Sequence, residues 1–187
     1  MGLAAVLTDL GDVIMQEETE VKVDDVTQQA EIFPGMADLL RWLHEQGIPL
    51  ALVADTRDGT YRNVLRQHGL FNLFAAFAIS DHLGVVKPDR RMFEHALEAL
   101  GIAEPEWPQV VMVGNNLARD IRGANALGLT SVWIAWNQRY PVVPVDEPER
   151  PHFQVHSAAE LARLLDALRG NQDTSGWRYP QPFPWDV

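Results

Sequence analysis

Leu3-Ala4-Ala5-Val6-Leu7-Thr8-Asp9-Leu10-Gly11-Asp12-Val13-Ile14 begins with an apolar run holding no polar side chain before Thr8. That is the pattern of a strand buried on both faces. The run breaks at Asp9, and Gly11 gives the backbone freedom to turn there. Open α/β sheets gather their functional groups outside the carboxyl ends of their strands. Asp9 stands at such an end, where a carboxylate serves as nucleophile, metal ligand or both. The plainer reading is an Asp capping the next turn.

Downstream, short apolar runs recur at Leu50–Ala54, Phe74–Ile79, Val110–Val113 and Ser131–Ile134. Between them lie segments with apolar residues at helical spacing, such as Met36, Leu39, Leu40 and Leu43, then Tyr61 to His68, then Phe93, Ala96, Leu97 and Leu100. Pro88 drives Lys87 out of the helical region, and Asp89 is placed to cap the helix that follows. A helix is expected after Asn115 through Ala126, and Ser157 with Glu160 forms a capping box for a last one. Strands alternating with helices in this way predict a doubly wound parallel sheet in one α/β domain over residues 1–170. Residues 15–32 are polar with some alternation, which suits a small hairpin or loose flap. Residues 171–187 form a separate tail, in which Trp177, Tyr179, Phe183 and Trp185 interleave with prolines. That pattern favours an extended, polyproline-like segment. It is expected to lie against the chain's own body, since the linker from Gly170 is long enough to fold back, the other placement being across a neighbouring subunit.

Composition narrows the function. With 187 residues, 47% hydrophobic and 22% charged, the chain is an ordinary globular protein. Its net charge of -11 repels nucleic-acid backbones and anionic membranes. An acidic protein handling an anionic substrate needs a local cation or a ring of N–H donors. There is no cysteine, hence no disulfide, thiol nucleophile or cysteine-zinc site. With no leader-like segment and no apolar run long enough to span a bilayer, a cytoplasmic location is expected.

Four strand ends carry polar groups: Asp9; Ala54-Asp55-Thr56; Lys87 in Gly84-Val85-Val86-Lys87-Pro88-Asp89; and Asn115 with Asp120 in Gly114-Asn115-Asn116-Leu117-Ala118-Arg119-Asp120. Parallel strands end on one side of a sheet, so these groups can converge. An Asp nucleophile, a Lys, a second carboxylate for Mg²⁺ and turn N–H donors together suit phosphoryl transfer. The set, in this order, resembles the haloacid dehalogenase superfamily of hydrolases across nearly all of Leu3 to Leu168. The resemblance implies that Asp9 attacks the substrate phosphorus and becomes phosphorylated, and that Lys87 offsets charge on Asp9 and the phosphoryl group. It also implies phosphate contacts around Ala54, Asp55, Thr56 and Lys87. Mg²⁺ would be held by Asp9, the Gly11 carbonyl, Asn115 and Asp120.

The chain departs from that family's pattern at three places. Gly11 stands where an acid usually protonates the leaving group. Ala54 replaces a hydroxyl residue, and Asn115 replaces a metal-binding carboxylate. The segment before Phe33 is too short for a cap domain, and the second gap holds ordinary core elements. The resemblance therefore implies a capless or minimally capped phosphatase with an open site. Such a site takes a phosphorylated small molecule or a bulkier phospho-substrate, or is closed by a second copy of the chain. Dehalogenation, which needs a large cap to desolvate the nucleophile, is disfavoured. The other reading is a catalytically weak member of the fold that binds or regulates. His152 and His156 lie in or near a strand and are not expected to bind metal, and Trp133 and Trp136 are expected to pack.

Overall fold

The computed structural model describes residues 2–180. Its centre is a six-stranded, wholly parallel sheet. The strands in chain order are β1 (Ala5–Thr8), β4 (Leu50–Ala54), β5 (Ala76–Ile79), β6 (Val110–Gly114), β7 (Thr130–Ile134) and β8 (Phe153–Val155). Their spatial order is β5-β4-β1-β6-β7-β8. The chain leaves β1 in one direction, returns to its other side at β6 and continues outward. The switch point of this doubly wound sheet, where ligand sites form, is therefore the seam between β1 and β6.

Alternate side chains of each strand enter different cores. Val6, Leu50, Leu52, Val111 and Val113 face helices α1 (Met36–Glu45), α2 (Asp58–Gln67) and α6 (Ala158–Arg169). Leu7, Ala51, Val53, Val110 and Met112 face α4 (Arg90–Ala99) and α5 (Arg122–Ala126). Both faces of β1 are thus covered, which explains its unbroken apolar run. The expected helix over Tyr61–His68 starts three residues earlier, where Asp58 places a carboxylate in the first turn. Asp89 caps α4 by accepting from the Arg91 N–H. At α6 the Ser157 hydroxyl accepts from the Glu160 N–H, while Glu160 reaches back to the N–H of His156 rather than of Ser157. Strand β8 is the sixth strand, three residues long and marked by little more than Phe153 and Val155.

The polar segment after β1 folds as an antiparallel hairpin, β2 (Val21–Val23) and β3 (Val26–Gln29), turning through Asp24 and Asp25, both at positive φ. It is pinned rather than loose. The Thr27 N–H donates to the Thr60 hydroxyl, Asn63 donates to the Thr27 carbonyl, and the Ala30 N–H donates to Gln67, all on α2.

Of the tail aromatics, Trp177 packs against the core below α6, and Tyr179 lies 6.1 Å from Trp133, ring centre to ring centre. Trp177 ends a short 3₁₀ turn rather than extended chain, and Arg178 bridges to Phe153 on β8. Phe183 and Trp185 lie outside the described residues. Trp136 stacks on Phe33 at 4.1 Å, and Trp133 is buried in a small cluster with Leu117 and Ile121. Removing residues 171–187 uncovers Phe153 and Trp133. We expect thermal melting to fall by about 4–8 °C, corresponding to roughly 2 kcal/mol of lost apolar contact. An unchanged melting temperature would show that the tail contributes no stability.

Candidate active site

Asp9 follows β1 directly, and its N–H donates to the Val113 carbonyl of β6, fixing it over the switch point. The turn after it takes its left-handed residue at Asp12 (φ 50°), not at Gly11, whose φ is unexceptional. The expectation that Gly11 is needed for the turn is therefore corrected. The space over position 11 is taken by Glu17: a Cβ there would sit 2.0 Å from Glu17 Oε1, so a side chain would have to displace that carboxylate.

Three groups meet at the seam. The Lys87 ammonium, with its side chain 2% exposed, lies 2.8 Å from Asp9 Oδ1 and 2.7 Å from Asp120 Oδ1. Asp120 is fully buried and Asp9 is 16% exposed, so only Asp9 of the two carboxylates opens on solvent. Asp120 sits where the expected helix after Asn115 begins as a wide π turn (Leu117–Ile121), in which the Asn116 carbonyl accepts from the Ile121 N–H as well as from the Asp120 N–H. Its Oδ2 accepts from the Asn116 N–H at 3.0 Å. Gly114 is required beneath it, since a Cβ there would fall 2.2 Å from the Asp120 Cβ. Burial pushes the Asp9 carboxyl up to about 7, with Lys87 pulling it down and Asp120 adding to the rise. Burial alone would lower the Lys87 pKa, but Asp120 and Asp9 reverse that and raise it.

These groups floor a cavity of about 590 Å³, which Gly11, Ala54, Asp55 and Thr56 also line. Asp55 is occupied: Oδ1 accepts from the Lys87 N–H at 2.9 Å and Oδ2 pairs with Arg119 at 3.5 Å. It therefore orients the lysine loop rather than facing a ligand freely. Asn115 is buried and is not among the cavity-lining residues. Its carbonyl accepts from Trp133 Nε1 at 3.0 Å, yet its Oδ1 and Nδ2 have no partner among the described residues. No group of three or more His, Asp or Glu suited to a metal occurs among the described residues. His152 is tied to Ser131, away from the cavity.

The cavity walls include residues that sequence reasoning did not single out. The hairpin contributes Lys22, Asp25 and Thr27, standing where a cap would. Tyr140 also lines the cavity, and Arg139 beside it pairs with Glu17 at 2.5 Å and with Asp12 at 3.4 Å. Burial raises the Glu17 carboxyl, Arg139 opposes this and Asp12 adds to it. No local pattern marks Arg139, because its partners are more than a hundred residues away.

A parallel sheet with a carboxylate–lysine–carboxylate centre at its switch point defines a class of α/β hydrolytic proteins. The family model of haloacid dehalogenase-like hydrolases matches residues 2–128, and the chain belongs to that family. It is 33% identical over 137 residues to a phosphoserine phosphatase of Thermus thermophilus, covering 73% of this chain and 52% of that protein. It is 31% identical to a glyceraldehyde 3-phosphate phosphatase of Methanopyrus kandleri, covering 73% and 56%. The chain thus spans about half the length of these curated relatives. Among solved structures, a phosphatase of the family from Thermococcus onnurineus superposes with TM-score 0.72 at 20% identity, over 90% of this chain and all of that one. That likeness supports the fold.

Replacing Lys87 by Met leaves Asp9 and Asp120 facing each other without a cation. Breaking a buried pair in this way costs about 3–5 kcal/mol. We expect urea unfolding of Lys87→Met to show a loss of that size, and a loss below about 1 kcal/mol would show that the lysine does not hold the centre together.

Proposed function

We propose that the chain is a Mg²⁺-dependent phosphomonoester phosphatase that works through a phosphorylated Asp9. The observation that carries this reading is the placement of Asp9: the one solvent-open member of the buried Asp9–Lys87–Asp120 centre, on the floor of the cavity. An Asp oxygen attacks phosphorus and displaces the alcohol oxygen, and water then cleaves the acyl phosphate. Lys87 holds Asp9 in place and offsets the charge that accumulates on the phosphoryl oxygens.

The residues present suit a small hard cation. Mg²⁺ takes one or two carboxylates and keeps several waters, and Asp9 and Asp120 supply two. Asn115 adds a buried amide with both polar atoms unpartnered. Such a group costs about 1–3 kcal/mol, which an ion at Oδ1 would offset in part. Gly11 contributes a backbone carbonyl in this reading. When bound, Mg²⁺ neutralises phosphoryl charge and orients the phosphate for in-line attack.

Substrates are proposed to be phosphorylated small molecules, in keeping with the names of the relatives, and the open mouth also admits bulkier phosphate esters. Lys87 and Arg119 are the cations near the floor, both paired with carboxylates there, so a bound Mg²⁺ would supply the remaining positive charge for a phosphate. No helix among the described residues is long and apolar enough to cross a membrane, and a cytoplasmic site of action is proposed.

Two measurements test the reading. Asp9→Asn, nearly isosteric, is expected to abolish Mg²⁺-dependent release of phosphate from an aryl phosphate while keeping the circular dichroism of the wild type. Rates like the wild type in that variant would remove Asp9 from the mechanism. Asn115→Asp adds a charge beside the ion and is expected to tighten Mg²⁺ binding by about tenfold or more in calorimetry. Unchanged or weaker binding would show that Asn115 is not a ligand.

A further inference from the structure

Position 11, two residues beyond the attacking Asp9, carries no side chain, yet the space over it is filled. A Cβ built on Gly11 would lie 2.0 Å from Glu17 Oε1 and 3.0 Å from Glu17 Cδ. The Gly11 backbone is not left-handed, so the conformation itself would accept a side chain. The Glu17 carboxylate, arriving from the 3₁₀ turn Glu17–Thr19, occupies the place that a side chain there would take.

That carboxylate is held on purpose-built supports. Its Oε2 pairs with Arg139 at 2.5 Å, and its backbone N–H donates to Asp12 Oδ1 at 3.1 Å. Arg139 reaches Asp12 as well, so Glu17 and Arg139 are both anchored to the turn after Asp9. One oxygen is therefore anchored and the other is turned toward Gly11. Of the remaining carboxylates of the cavity, Asp25 stands exposed at the turn of the hairpin, and the others are committed elsewhere. Asp55 serves the Lys87 loop, Asp81 accepts from Arg57 and the Asp58 N–H, and Glu20 pairs with Lys22 and Thr27. Asp120 is buried behind Lys87.

An alkyl phosphate cannot leave readily as an alkoxide; its oxygen needs a proton as the P–O bond breaks. We propose that Glu17 is the proton donor and acceptor of the reaction. The proposal rests on the phosphatase reading above. As Asp9 Oδ bonds to phosphorus, the bond from phosphorus to the alcohol oxygen breaks, and that oxygen takes the proton from Glu17. The free alcohol departs and leaves Glu17 as a carboxylate. Water then attacks phosphorus, gives one proton to Glu17 and breaks the bond to Asp9. Inorganic phosphate leaves, and Asp9 as carboxylate and Glu17 as acid are restored.

The test compares leaving groups. In Glu17→Gln, kcat/KM for an alkyl phosphate such as glycerol phosphate is expected to fall by about a hundredfold or more. For p-nitrophenyl phosphate, whose leaving anion needs no proton, it is expected to fall by less than about tenfold. Equal losses on both esters, or no loss on either, would overturn the proposal, the first by making Glu17 a mere brace for Arg139. The double variant Glu17→Ala/Gly11→Asp returns a carboxylate to the vacated space and is expected to recover alkyl phosphate turnover at least tenfold over Glu17→Ala alone. Failure to recover it would also count against proton transfer at this spot. If the wild type shows no Asp9-dependent turnover of either ester, the phosphatase reading itself falls. If the wild type turns over and Glu17→Gln matches it on both esters, only this proposal does.

Discussion

The Lys87 ammonium is shared by two carboxylates from different parts of the chain. Asp9 ends β1, Asp120 comes from the turn after β6, and Lys87 comes from the loop leading into α4. Each of these positions costs desolvation, and none is tenable alone. Two buried carboxylates would repel each other, and a buried ammonium without them would shed its proton. Together they satisfy one another and tie the carboxyl ends of the two central strands to the opposite layer. The centre is therefore a structural clasp as well as a chemical site.

The same clasp explains the small residues around it. Gly114 lets Asp120 tuck under the end of β6, within the wide π turn. Asp55, one residue beyond β4, is spent on the backbone of Lys87. Three strand ends, those of β1, β4 and β6, thus hold one lysine, two by its ammonium and one by its backbone, which accounts for polar residues where these apolar strands stop.

What could be read from the chain was what is local. Asp9, Lys87 and Asp120 sit beside apolar runs or a proline, so each is marked by a break in pattern. The parallel sheet follows from the alternation of strands and helices. Strand β8 was obscure because three residues carry almost no periodicity. Arg139, Tyr140 and the support of Glu17 were illegible for a different reason: their partners are distant in sequence, and only packing brings that loop over the cavity. Gly11 was read as giving the backbone freedom to turn, whereas the left-handed residue of that turn is Asp12 and the space over Gly11 is filled by the Glu17 carboxylate.

The central place of β1 has a consequence for motion. Strand β1 is bonded on both edges and covered on both faces, so its amides have no cheap route to solvent and exchange only when the whole sheet opens. The hairpin across the cavity is two-stranded, with Val21 and Val23 exposed, and is fastened to α2 by a few side-chain hydrogen bonds. It pairs with no strand of the main sheet and joins the body through α2 instead. The nucleophile thus rides on the most enclosed strand of the molecule, while one wall of its cavity is carried by a helix on the sheet's flank.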